Sequence, residues 1–133
     1  MEYLTGNYTQ ARPTLEKALS QDRGDNVARL YLGLTLARQG DTQKGSQEID
    51  AGMKGIYDFL DYITEANRFS YGPYWDPGRD IRSAIERDRA VIASGKIDWP
   101  ALIADGESIA LKTEREPDLA RQQKRIQRSL RAD

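Results

Sequence analysis

The sequence contains neither cysteine nor histidine. The first absence excludes disulfides, thiolate metal sites and a cysteine nucleophile. The second removes the commonest general base and the commonest zinc ligand. Together they exclude the Ser-His-Asp and Cys-His machineries of nucleophilic catalysis. Long hydrophobic runs are missing too. The longest nearly apolar stretch, Leu30 to Ala37, is interrupted by Gly33 and Thr35 and falls far short of the ~20 residues that a membrane-spanning helix needs. Met1 to Gly6 lack the basic start and apolar centre of a secretory signal. No charge of one sign dominates: 20 Lys and Arg face 21 Asp and Glu, for a net charge of −1. That balance argues against a dedicated nucleic-acid binder, which carries a basic excess.

What is there is a chain of 133 residues, the size of one domain that buries a real core without staples. Charged residues make up 31% and apolar residues 38%. The composition is polar, but the apolar residues are periodic, which specifies a helical domain and not a disordered chain.

The chain matches itself at a shift of 34 residues. Gly6 falls on Gly40, Asn7 on Asp41, Ala11 on Gly45, Leu15 on Ile49, Ala18 on Gly52 and Leu19 on Met53. Small falls on small and large apolar on large apolar. Gly40-Asp41 reads as a helix-stopping glycine followed by the cap of the next helix. Before it, Val27, Leu30, Tyr31, Leu34 and Ala37 recur at helical spacing; after it, Gly45, Ile49, Gly52 and Met53 do the same. Small residues at 45 and 52 permit close approach of two antiparallel helices.

This pattern resembles the tetratricopeptide repeat (TPR) over residues 1–59. Leu32-Gly33 supplies the Leu-Gly pair of helix A, Gln39-Gly40-Asp41 the turn, and Gly45, Ile49 and Gly52 the small, large and small places of helix B. Gly6-Asn7-Tyr8, Ala11, Leu15, Ala18-Leu19 and Asp22 match the helix B half of a preceding repeat. Three departures stand out. Arg29 occupies a place usually held by a large apolar residue, Arg23 replaces the usual proline after Asp22, and the first repeat begins in mid-motif. The last departure leads us to expect a longer natural protein; a frayed helix end at Met1 to Leu4 is the alternative.

Beyond the repeats, Ile49, Met53, Ile56, Leu60 and Ile63 continue one stripe, predicting a long helix over 42–67. Phe69, Tyr71, Tyr74 and Trp75 are interleaved with Gly72-Pro73 in a loop. Asp76-Pro77 predicts the start of a fourth helix, with Asp as cap and Pro at its first position. That helix runs to Ala93 with Gly95 as its terminator and Ile81, Ala84, Ile85, Val91 and Ile92 as its inner stripe. Asp98-Trp99-Pro100 opens a fifth, and 118–130 forms a last one. The expected fold is therefore all-α: a short stack of antiparallel helix hairpins with C-terminal capping helices. It is a single domain over 1–133, with the repeat region at 1–59 and a long-helix extension and cap at 60–133.

Candidate sites follow. Asp76, Asp80, Glu86 and Asp88 alternate with Arg79, Arg82, Arg87 and Arg89, the composition of a solvated, ion-paired helix face and not of an acid–base pair. Arg121, Lys124, Arg125, Arg128 and Arg131 read as another solvated face. No motif calls for a cofactor or a metal ion. The TPR resemblance implies that Val27, Leu30, Leu34, Ala37 and Arg38 line a concave groove. Four of these five are apolar, so either the C-terminal helices fill the groove or a partner does. The expected partner-binding residues are Leu30, Leu34, Arg38, Tyr62, Tyr71 and Tyr74. The resemblance implies a protein–protein interaction scaffold without catalytic activity, taking a protein or peptide partner, with self-association as a further possibility. A small-molecule or lipid-binding domain using the same apolar groove is the alternative.

Overall fold

The computed structural model describes residues 3–66 and 76–114. Over these residues the chain is all-α, with helices α1 Tyr8–Gln21, α2 Asn26–Arg38, α3 Thr42–Ala66, α4 Asp80–Ser94 and α5 Trp99–Glu114. The expected last helix at 118–130 lies outside the described residues.

Short polar side chains set four of the starts. Asn7 accepts a hydrogen bond from the Gln10 amide, Asp25 from Ala28, Asp41 from Lys44 and Asp98 from Ala101. Each satisfies a donor that the first helical turn leaves unpaired. Gly95 ends α4 with φ at 75°, a conformation that costs a side chain but not glycine. The start of α4 corrects the expectation. Pro77 does not open the α-helix but a short 3-10 turn, Pro77–Arg79. The Asp76 carboxylate reaches past this turn to accept from the amides of Ile81 at 2.6 Å and Arg82 at 3.0 Å. Asp76 and Arg79 adopt positive φ to make the turn, at about 1 kcal/mol each, and the buried bonds to Asp76 offset that strain.

Helix α2 is the centre of the molecule. Leu30, Tyr31, Leu32, Leu34 and Leu36 are all buried, and a helix apolar on every side must be covered on every side. Its covers are α1, α3 and α5. The α2–α3 hairpin is antiparallel: Leu30 lies opposite Gly52, Gly33 opposite Ile49 and Ala37 opposite Gly45. A Cβ on Gly52 would stand 2.7 Å from the Leu30 nitrogen, so the two backbones are in contact. Ile49, Met53, Ile56, Leu60 and Ile63 form one buried stripe along α3, as their spacing predicts.

The second helix pair folds back over this hairpin. Along α3 and α4, Asp50 meets Arg89, Tyr57 meets Glu86 and Asp61 meets Arg82, an antiparallel register. Along α2 and α5, Tyr31 meets Glu114 and Leu34 lies under Gly106. Among the described residues no helix is long and apolar enough to cross a membrane.

Candidate functional site

The seat of α5 on α2 decides what the apolar groove can do. Leu30 and Leu34 are completely buried. A Cβ on Gly106 would come within 2.8 Å of Leu34, so α5 occupies the groove at its closest approach. The expectation that Leu30 and Leu34 meet a partner is corrected: they are core residues covered from within the chain.

Arg38, one turn beyond Leu34, emerges from under α5 and organises a polar cluster. Its Nε donates to the Tyr3 hydroxyl at 3.0 Å, and its Nη2 donates to Glu107 Oε1. The Tyr3 hydroxyl donates to the same Glu107 oxygen at 2.6 Å. The guanidinium also lies 5.8 Å from the Tyr3 ring centre and 5.5 Å from that of Tyr8, within cation–π range. Tyr3 is 3% exposed and packs against Tyr8 and Tyr31 at centroid distances of 5.4 and 5.2 Å.

The electrostatics follow from these contacts. The bonds to Glu107 and Tyr3 hold the Arg38 guanidinium more firmly charged than usual. Burial, reinforced by the Glu107 carboxylate, raises Tyr3, so its hydroxyl is a permanent donor. Burial pushes Glu107 up, but the hydrogen bonds from Tyr3 and Arg38 outweigh it and leave Glu107 below the usual carboxylate range.

Above this cluster opens a pocket of about 320 Å³ lined by Arg38, Trp99, Pro100, Ile103, Ala104 and Glu107. One wall is apolar, from the first turn and a half of α5. The floor is a charged pair. Arg38 commits two bonds to Tyr3 and Glu107, out of five guanidinium donors.

The other expected site residues fall elsewhere. Tyr62 is 57% exposed, but it sits on α3 twenty residues beyond Thr42, a helical rise of about 30 Å from the α2–α3 turn beside Arg38. Arg38 and Tyr62 therefore do not share one rim. Tyr71 and Tyr74 lie outside the described residues. The acidic and basic face of α4 is also corrected. Its ion pairs form, but Asp76, Arg82 and Asp88 are buried. Arg82 bridges Asp76 at 3.0 Å and Asp61 at 2.9 Å.

Sequence reasoning missed Tyr3, Trp99, Ile103 and Glu107 as site residues. Tyr3 gave no local signal, because its surroundings come from α1, α2 and α5. Asp88 did give one: it lies seven residues after Ile81 and four before Ile92, inside the apolar stripe. Among the described residues no cluster of acidic side chains has the makings of a metal site. Compared with protein-family models, with curated proteins and with solved structures, the chain matches none of them.

Proposed function

We propose that this chain is a protein-interaction module of TPR type, with no catalytic role, that takes a short segment of a partner protein into the pocket at Arg38, Trp99 and Ile103. The observation that carries the reading is the pairing of an open apolar wall with a rigidly held, permanently charged guanidinium. Such a pocket seats one apolar side chain against Trp99 and Ile103, while the remaining Arg38 donors take a backbone carbonyl or carboxylate of the partner. The close antiparallel α2–α3 packing supports the TPR part, since Gly33, Gly45 and Gly52 stand where that family places small residues or close contacts. The alternative of a lipid or small molecule in the apolar groove loses its support, because α5 occupies that groove.

The test is a peptide-display selection on the full chain, repeated with Pro100→Glu and Ala104→Glu. Both residues are exposed and line the pocket, so the variants fold with unchanged melting. The expected outcome is a family of related peptides for wild type whose affinity falls at least tenfold, about 1.4 kcal/mol, in both variants. Peptides that bind the variants as well as wild type would overturn the pocket assignment.

A further inference from the structure

The pocket is one end of a longer strip on α5. Pro100, Ala104, Glu107 and Leu111 recur at spacings of four, three and four, so they share one face. The described helices leave Pro100 and Ala104 exposed, and Ile103 and Leu111 only half-buried. Glu107 is the one charge on this otherwise apolar strip. Helix α5 runs antiparallel to α2: Glu107 accepts from Arg38, and Glu114, two turns further on, accepts from the Tyr31 hydroxyl at 3.3 Å, two turns further back. Glu114 therefore stands at the end of the strip remote from the pocket. Residues 115–133 follow it and lie outside the described residues.

The sequence of that segment suits the strip. Pro117 disfavours helical backbone at Glu116, and a few residues suffice to turn one helix antiparallel to another. Leu119, Ile126 and Leu130 stand at spacings of seven and four, one face of a helix. The helical rise from 118 to 130 is about 18 Å, and from Glu114 back to Ile103 about 16 Å. A helix returning along α5 thus brings Ile126 and Leu130 level with Ile103, Ala104 and Glu107. Charge agrees with length. Residues 98–114 carry four anions and one cation, whereas 118–131 carry one anion and five cations, and opposite net charges favour the encounter. Asp105 and Glu107 already hold Arg87 and Arg38, so this attraction is the field of a whole face and not a set of new ion pairs.

We propose that the C-terminal segment 118–130 folds back antiparallel to α5 and seats Ile126 and Leu130 in the pocket at Trp99 and Ile103. The segment is then an internal competitor, and a partner segment enters the pocket only as Ile126 and Leu130 leave it. That competition rests on the function proposed above, whereas the seat itself does not.

Because the chain has no cysteine, a nitroxide on Ser108→Cys labels the full chain at one place. Ser108 is exposed on α5 and outside the pocket lining. The label should strongly weaken the NMR amide signals of residues 121–130, equally at high and low protein concentration. Full signal intensity overturns the seat. So does a loss that fades on dilution, which would put the segment on a second copy of the chain. Adding Ala104→Arg to the labelled chain places bulk and like charge in the pocket. It should restore the signals of Ile126 and Leu130 and leave those of α2 and α3 unchanged; no recovery would overturn the pocket as the seat. Leu130→Asp reads the competition and should raise the affinity of the peptides selected above about threefold, as the blocked fraction is freed. Unchanged affinity would overturn the competition. Failure to select any peptide would count against the proposed function alone, because the labelled chain reports the seat without a partner.

Discussion

The two helix pairs of this chain have the same antiparallel arrangement and differ in how much charge ties them in place. The α2–α3 hairpin joins mainly through dry apolar contact, Leu30 on Gly52, Gly33 on Ile49 and Ala37 on Gly45, with one ion pair, Arg29 to Glu48 at 2.9 Å, at its edge. The α4 helix seats Ile81 and Ile85 in the core and adds charged ties, through Arg82 to Asp76 and Asp61 and through Arg89 to Asp50. Dispersion and apolar burial are indifferent to pH and nearly so to salt, while ion pairs respond to both. The first pair is the platform, and the second is a cover that adds ion pairs to its buried apolar contacts. The pocket lies at the boundary, with Arg38 on the platform and Trp99, Ile103 and Glu107 on the cover.

The contrast is best broken where α5 meets the platform. Leu34→Asp places an unpaired charge under Gly106, at a position with no exposure. It should abolish folding or cost on the order of 4–5 kcal/mol, measured by urea unfolding. A variant that melts like wild type would mean that α5 does not fill the groove. Next comes Arg82→Ala. Removing the cation leaves Asp76 buried without its partner and should cost about 3–5 kcal/mol. Arg82→Met keeps most of the packing but not the charge and should recover little of the loss; full recovery would assign Arg82 a packing role only. The smallest effect belongs to Gly52→Ala. Ala is the better helix former by up to ~1 kcal/mol, yet here its Cβ meets the Leu30 backbone and should destabilise by about 1–3 kcal/mol through overpacking. This loss should be the same in low and high salt, and a salt-dependent one would erase the distinction between the two helix pairs.

What could be read from the chain alone was local. The spacing of Leu30, Leu34, Ile49, Met53, Ile56, Leu60 and Ile63 marks the buried stripes. The capping residues Asn7, Asp41 and Asp98 mark three helix starts, and Gly45 with Gly52 announces a close helix contact. Each of these signals lies within a few residues of its effect, since helix periodicity and capping are short-range. The fate of charged and aromatic side chains was decided only by tertiary packing. The ion-pair pattern of α4 reads as solvated, because sequence spacing reports which residues share a face but not what that face meets. Arg82 and Asp88 meet α3 and α5 and are buried. Tyr3 and Glu107 are more than one hundred residues apart and become neighbours only because α5 returns to lie on α2. The stripes required that some apolar surface cover Leu30 and Leu34; only the folded chain determined that it would be its own fifth helix, and so placed the pocket at Arg38.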